Sequence, residues 1–397
     1  MLMHQALRPY ATAGVAIVGA GLVAVVPTVA PVYTGNIARD VALTADSFGL
    51  ADFFTPFEAA YNTAQDNVAR MMASYNAAPD IGFTQLSSRM SEYLQSMIDD
   101  PSTIPAMTNA MQTDLKNAWS SLTLMNADQD TINDVIRHTM DSSYLLGNLA
   151  GGHEIIFSQV PGFLPADQAE TLTPIINFLG SPMSAVMLAS VSPFIAPGVA
   201  LANSLQEFSD ALKDGDTTAA FQGLLNIPAN MFDASLNGAT LNLDSLLPAI
   251  NDAGLLPGGM EITHLDFAFG GWFSTGGHVT ADPMHVLDPD GNEIAQAPAS
   301  GGSIFNSIGF DISGIPVVGD LHAPSDAIGP LGAWLGVSQV IGSQLGWGSW
   351  SGKDPVFSIP APEGFVVDDG TDDGGAGSSM ADSFAFGDLL ADLGLLG

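Results

Sequence analysis

Seven histidines and 42 carboxylates, with no cysteine among 397 residues, are the side chains from which this chain could build a reactive or metal-binding centre. Without cysteine there are no disulfides, no thiolate-bound metals and no cysteine nucleophiles. Histidine–carboxylate chemistry remains. His264, His278 and His285 share a strand-like stretch and would suit a metal ion if they converged, although no ligand-spacing rule ties them together. His153-Glu154 opens a zinc-protease pattern, in which two histidines one helical turn apart hold the ion and the glutamate acts as base; Phe157 stands where the second histidine belongs. Asp288, Asp290 and Asn292 resemble the start of a calcium loop, but Glu293 replaces the glycine of the sharp turn and Ala299 the bidentate glutamate. Asp369, Thr371, Asp373 and Gly374 fail the same test at Met380. The hydrolase elbow G-x-S-x-G does not occur. Gly19, Gly21 and Ala24 after an apolar run match a dinucleotide fingerprint, which works only at the start of a helix; Pro27 and Pro31 would break that helix at once. The sequence therefore predicts no catalytic residue, no cofactor, no dedicated metal site and no enzymatic role, with only weak cation binding by acidic segments.

The glycine-rich run has a better explanation. Ala11 to Val26 carries no charge, follows His4 and Arg8, and leads into the small-residue exit Thr28-Val29-Ala30. That order predicts an export signal over residues 1–30, cleaved on export, since the run falls short of the roughly 20 residues a membrane span needs. The charge balance bounds the partners. Eight Lys and Arg face 42 Asp and Glu, a net charge of −34, which repels nucleic-acid phosphates and anionic lipid headgroups. Charged residues are only 13% of the chain while Gly (43) and Pro (25) are plentiful, a composition suited to irregular connections or extended apolar contact.

Hydrophobic spacing then supplies the scaffold. Residues 31–54 read as an irregular lead-in and 55–258 as a helical domain, opened by a Thr55 cap, Pro56 in the first helical position and Glu58. Four stripes at helical period follow: Phe57 to Met71, Leu86 to Ile98, Met107 to Leu122 and Ile132 to Met140. From Thr171 to Gln206 no residue is charged; Pro182, Pro193 and Pro197 predict short buried helices or a re-entrant hairpin rather than one unbroken span. Asp216 is placed to cap a further helix through Leu225, Pro228 to mark a turn or new start, and Asn237-Gly238 to stop it. Around Met260 the period changes to two, and residues 259–362 read as a β-rich region with strands near Thr263–Phe269, Gly277–Leu287 and Ile304–Ile312; Leu331–Trp350 is ambiguous. An acidic Gly/Asp linker (363–379) and a short amphipathic apolar tail (380–397) complete the chain. The expected class is α+β, mainly helical: an amphipathic bundle followed by a smaller sheet region.

The head Leu7-Arg8-Pro9-Tyr10, the run Leu224-Leu225-Asn226-Ile227-Pro228-Ala229-Asn230-Met231, and Asp266-Phe267-Ala268-Phe269-Gly270-Gly271 resemble a group of exported mycobacterial proteins labelled outer membrane porin. The label comes from a channel-forming protein of Gordonia, another genus with a mycolic-acid envelope. The resemblance implies export to the cell envelope or beyond it, and channel formation; envelope lipid or further copies of the chain are the implied partners. It brings no catalytic residues. A single-chain barrel needs at least about eight alternating strands, more than the second half of this sequence offers, so a pore would need several subunits. The net charge of −34 would make such a pore prefer cations.

Overall fold

The computed structural model describes residues 50–140, 152–154, 156–157, 169–253, 256, 259–276, 284–287, 292–315, 319–345 and 348–349. The export stretch, the linker and the tail lie outside them. All four stripes are helical: α1 (Leu50–Ala77), α2 (Ile81–Asp99), α3 (Ile104–Thr123) and α4 (Gln129–Thr139). α1 begins at Leu50, inside the expected lead-in, with Pro56 within it rather than at its first position. Proline costs α1 one internal hydrogen bond near its start, and edge-on and tilted contacts of Phe53 with Phe54 and Phe57 pack the turns around it. α4 starts as its sequence demands, Asp128 accepting the Thr131 N–H at 2.8 Å, and buries Ile132, Val135 and Ile136.

In α2 and α3 the period is right but the predicted stripe is buried only in part. Leu86 and Leu122 pack against Val337, Ile341 and Leu345, and Ala118 is buried, but Leu94 and Ile98, and Leu115 and Trp119, are exposed, while Ile81, Gly82 and Gln85 of α2 and Asp114 and Ser121 of α3, outside the stripe, are buried. In α2 close backbone approach decides this. A Cβ on Gly82 would stand 2.2 Å from the Ser338 carbonyl oxygen, so α2 meets its neighbour through a glycine.

The uncharged region spans α5 (Ala169–Leu179) and α6 (Pro182–Lys213): the helix breaks before Pro182, as expected, but α6 runs on unbroken with Pro193 and Pro197 inside it. This corrects the expectation of short pieces beyond Pro182. Pro182 sits in the first turn, where a missing N–H costs nothing, and Ser181 accepts the Ser184 N–H. The inner prolines, four residues apart, fall on neighbouring turns of a helix held by burial of Ala185, Ala189, Ala196 and Ala200. Tertiary packing outweighs the local breakers. α7 (Thr217–Asn237), antiparallel to α6, runs through Pro228 for the same reason; Pro228 therefore marks neither a turn nor a new start. Asp216 caps it at 2.9 Å to Ala219 N–H, and Gly238 at φ 95° ends it.

Among the described residues every strand pairing is antiparallel. β1 (Ala239–Asn242), β2 (Glu261–Phe269), β5 (Ile308–Ile315) and β6 (Gly319–Ala323) form a sheet in the order β1-β2-β5-β6. β3 (Met284–Leu287), β4 (Glu293–Ala297) and β7 (Gly348–Ser349) form a second, in the order β4-β3-β7. A short helix, α8 (Leu247–Asp252), links β1 to β2. The ambiguous segment is α9 (Pro330–Gln344), the central helix of the core, buried along Ala333, Leu335, Val337, Val340 and Ile341. A helix with no charge on any side and mostly apolar residues belongs inside, and α9 packs against α1, α2, α3 and α6. The fold is thus mainly helical, with a smaller antiparallel sheet region after the helical part.

Candidate functional site

Two-residue periodicity in β2 puts His264 and Asp266 on one face, and the connection out of β1 brings Asp244 beside them. His264 Nδ1 lies 2.9 Å from Asp244 Oδ1 and Nε2 lies 2.9 Å from Asp266 Oδ2. Partial burial pulls the His264 pKa down, but the hydrogen bonds to Asp266 and Asp244 and their charge outweigh it and raise it above the ordinary value. Burial likewise opposes ionisation of Asp244, and the Leu265 N–H, Asn242 and His264 together hold its carboxyl below the ordinary range. With both ring nitrogens engaged by carboxylates, His264 has no lone pair for a metal and no site for a substrate proton. Gly309 lies opposite Asp266 in β5, where a Cβ would stand 2.3 Å from Asp266 Oδ1; that oxygen is buried with no hydrogen-bond partner. Across the sheet Asp311 pairs with both His264 and His322, and its carboxylate contacts the His322 ring.

The three histidines of the predicted strand stretch are not gathered. His285 lies in the other sheet, with Nδ1 2.6 Å from Glu293 Oε2, and His278 lies outside the described residues. Among the described residues no group of three or more His, Asp or Glu is arranged to hold a metal ion. His153 is fully buried, its Nε2–H donating to the Ile308 carbonyl at 2.5 Å, with the rings of Phe305 and Phe310 edge-on to it. It serves the packing of β5. Asn292 is exposed at the start of β4, while Asp288, Asp290 and the Gly19–Ala24 fingerprint lie outside the described residues.

A second polar group, which the sequence did not single out, sits in the core. His138 of α4 donates from Nε2 to Gln339 Oε1 at 3.1 Å; the same oxygen accepts the Ser300 N–H at 3.1 Å. Gln339 Nε2 donates to Ser74 Oγ and to the Pro298 carbonyl, each at 2.9 Å. The network ties α1, α4, α9 and the loop after β4 together. Complete burial pushes the His138 pKa down to about 4, so the ring is neutral. Nearby, Arg89 reaches Asp114 Oδ2 at 3.1 Å and the Leu345 carbonyl at 2.8 Å, and Tyr93 donates to the same Asp114 oxygen at 2.8 Å. The His138 group is enclosed in the core, whereas Arg89 and Tyr93 are partly buried and spend their donors on Asp114 and the Leu345 carbonyl.

The surface carries the less ordinary feature. Met187, Val191, Phe194 and Gly198 follow one another at spacings of four, three and four along α6, with Ser190 beside them, all exposed, and none is charged. Phe194 is 74% exposed, and Trp272 stands edge-on to it at 5.7 Å between ring centres. Leu224 and Phe232 of the neighbouring α7 are exposed as well. Among the described residues α6 alone is long and apolar enough to cross a membrane, and close to half of its most apolar stretch is buried. The sequence signal for this face was present: within an acidic chain, positions on every side of α6 lack charge from its start to Gln206. No protein-family model matches the chain, no curated protein matches it, and no solved structure matches its fold.

Proposed function

We propose that this chain is an exported cell-envelope protein, similar to the mycobacterial proteins labelled outer membrane porin, held at the envelope by apolar contact. The observation that carries this is the exposed, uncharged row Met187, Val191 and Phe194 on α6. Surface positions bear no packing constraint and are cheap to make polar; a contiguous row of large apolar side chains there marks a contact site. Conduction belongs to an assembly of several copies, because the described strands form open sheets of four and three rather than a closed barrel. The carboxylate excess makes such an assembly prefer cations. Planar-bilayer recording on the purified chain lacking residues 1–30 tests this, with a heat-denatured control. Cation-preferring conductance steps are expected; steps absent, or anion-selective, remove the channel from the proposal.

One observation favours a second reading, an envelope-associated binding or structural protein without channel activity. The side of α6 opposite the exposed row buries Ala185, Ala189, Ala196 and Ala200 in the core. Sending α6 into a bilayer would open that core, whereas resting its outer face on a surface would not. The two readings separate on conductance alone.

A further inference from the structure

We infer that the outward face of α6, with Trp272 at its edge, rests on an uncharged lipid surface while the helix keeps its place in the fold. Three observations converge on that face. Its large side chains are apolar and well exposed: Met187 56%, Val191 49% and Phe194 74%. Its hydroxyl is already spent, since Ser190 Oγ bonds back to the Val186 and Met187 carbonyls at 2.8 and 2.9 Å, leaving no donor that needs water. Trp272 flanks it, an amphipathic ring of the kind that settles at a lipid boundary. The neighbouring stretch Thr217 to Phe232 of α7 carries no charge either.

Charge selects the occupant. A second copy seated on this face would bring its own net −34 to the contact, so any assembly of copies joins through other surfaces. The chain's apolar tail carries Asp382, Asp388 and Asp392 and follows Asp368, Asp369, Asp372 and Asp373, so it too approaches with like charge. Anionic lipid is repelled in the same way. An uncharged lipid layer meets no such repulsion and covers apolar side chains without asking for hydrogen bonds. The inference deepens the envelope reading by naming its surface and its partner, but it depends on neither export nor conductance and can fail without them.

The test is flotation of the full chain with phosphatidylcholine vesicles, and with vesicles containing phosphatidylglycerol, at physiological salt. The chain should float with the uncharged vesicles and less with the anionic ones. The double substitution Val191→Asp, Phe194→Glu should lower the bound fraction by about tenfold or more, since carboxylates enter lipid poorly. Ile98→Glu, at a site 72% exposed on α2, should float as the parent does. Should the double variant lose its helical circular dichroism, quenching of Trp272 by brominated phosphatidylcholine, read as parent minus Trp272→Phe, decides instead and should be present. The inference is overturned by failure to float, by equal flotation of a folded double variant, by stronger binding to anionic vesicles, or by no quenching of Trp272. It is also overturned by a dimer in sedimentation equilibrium that the double substitution dissolves, or by flotation that appears only after removal of residues 380–397.

Discussion

His138 should make this protein lose stability as the pH falls from neutral, and the size of the loss follows from its burial. In the folded chain its pKa drops from the ordinary 6.5 to about 4 because the ring is wholly enclosed. Between those values the unfolded chain binds a proton that the folded chain refuses, so stability declines as pH falls through the window and the full contribution is present only above it. Each factor of ten in proton affinity is worth about 1.4 kcal/mol, and a drop of 6.5 − 4 therefore gives about 3 kcal/mol at the acid end. Carboxylates titrate over the same range and change the balance of a chain with 42 of them. A comparison with His138→Gln subtracts that background. Glutamine can still donate to Gln339 Oε1 but takes up no proton. Urea unfolding followed by circular dichroism at pH 7, 6, 5 and 4 should show the gap between parent and variant shifting by about 3 kcal/mol in favour of the variant on acidification. Parallel curves would refute the buried, neutral imidazole.

Other consequences are equally concrete. His264 should titrate above the ordinary histidine value by NMR, and Asp244→Asn or Asp266→Asn should bring it back down. The stability it lends is present below the ordinary value and lost as pH rises through the raised one; a ring on a partly exposed sheet face supplies under about 1 kcal/mol. Gly82→Ala should destabilise by about 1–3 kcal/mol or more in denaturant unfolding, because its Cβ would collide with the Ser338 carbonyl at 2.2 Å and push α2 off α9. Arg89→Met should cost about 2 kcal/mol by the same assay, since Asp114 keeps only Tyr93 and the Leu345 carbonyl loses its donor.

The helical first half was legible because amphipathic spacing in α1 and α4 coincides with burial: Val68, Met71, Ile132, Val135 and Ile136 stand where the period places them. In α2 and α3 spacing named the buried face only in part: Leu86, Ala118 and Leu122 pack on the core, but Leu94, Ile98, Leu115 and Trp119 do not, and the closest contact of α2 is made by Gly82, which carries little hydrophobic signal. Proline misled at Pro193, Pro197 and Pro228, where packing of α6 against α7 holds the helices through a local penalty. β2 announced itself by alternation, whereas β1, four residues just after a helix, and α9, uncharged on all sides, show no period to read. The pairing of Asp244 with His264 joins residues twenty positions apart through a sheet connection, which no local spacing encodes. The exposed row on α6 was hidden differently: the missing charge was visible, but which side of the helix the core would take was not.

Cell fractionation of a C-terminally tagged chain in a mycolic-acid bacterium, with sequencing of the amino terminus of the recovered protein, bears most directly on the envelope assignment. A chain lacking residues 1–30 is expected, found in the envelope pellet, retained through a high-salt wash and released by mild detergent. An intact amino terminus in the cytosolic fraction, or release by salt alone, would contradict it.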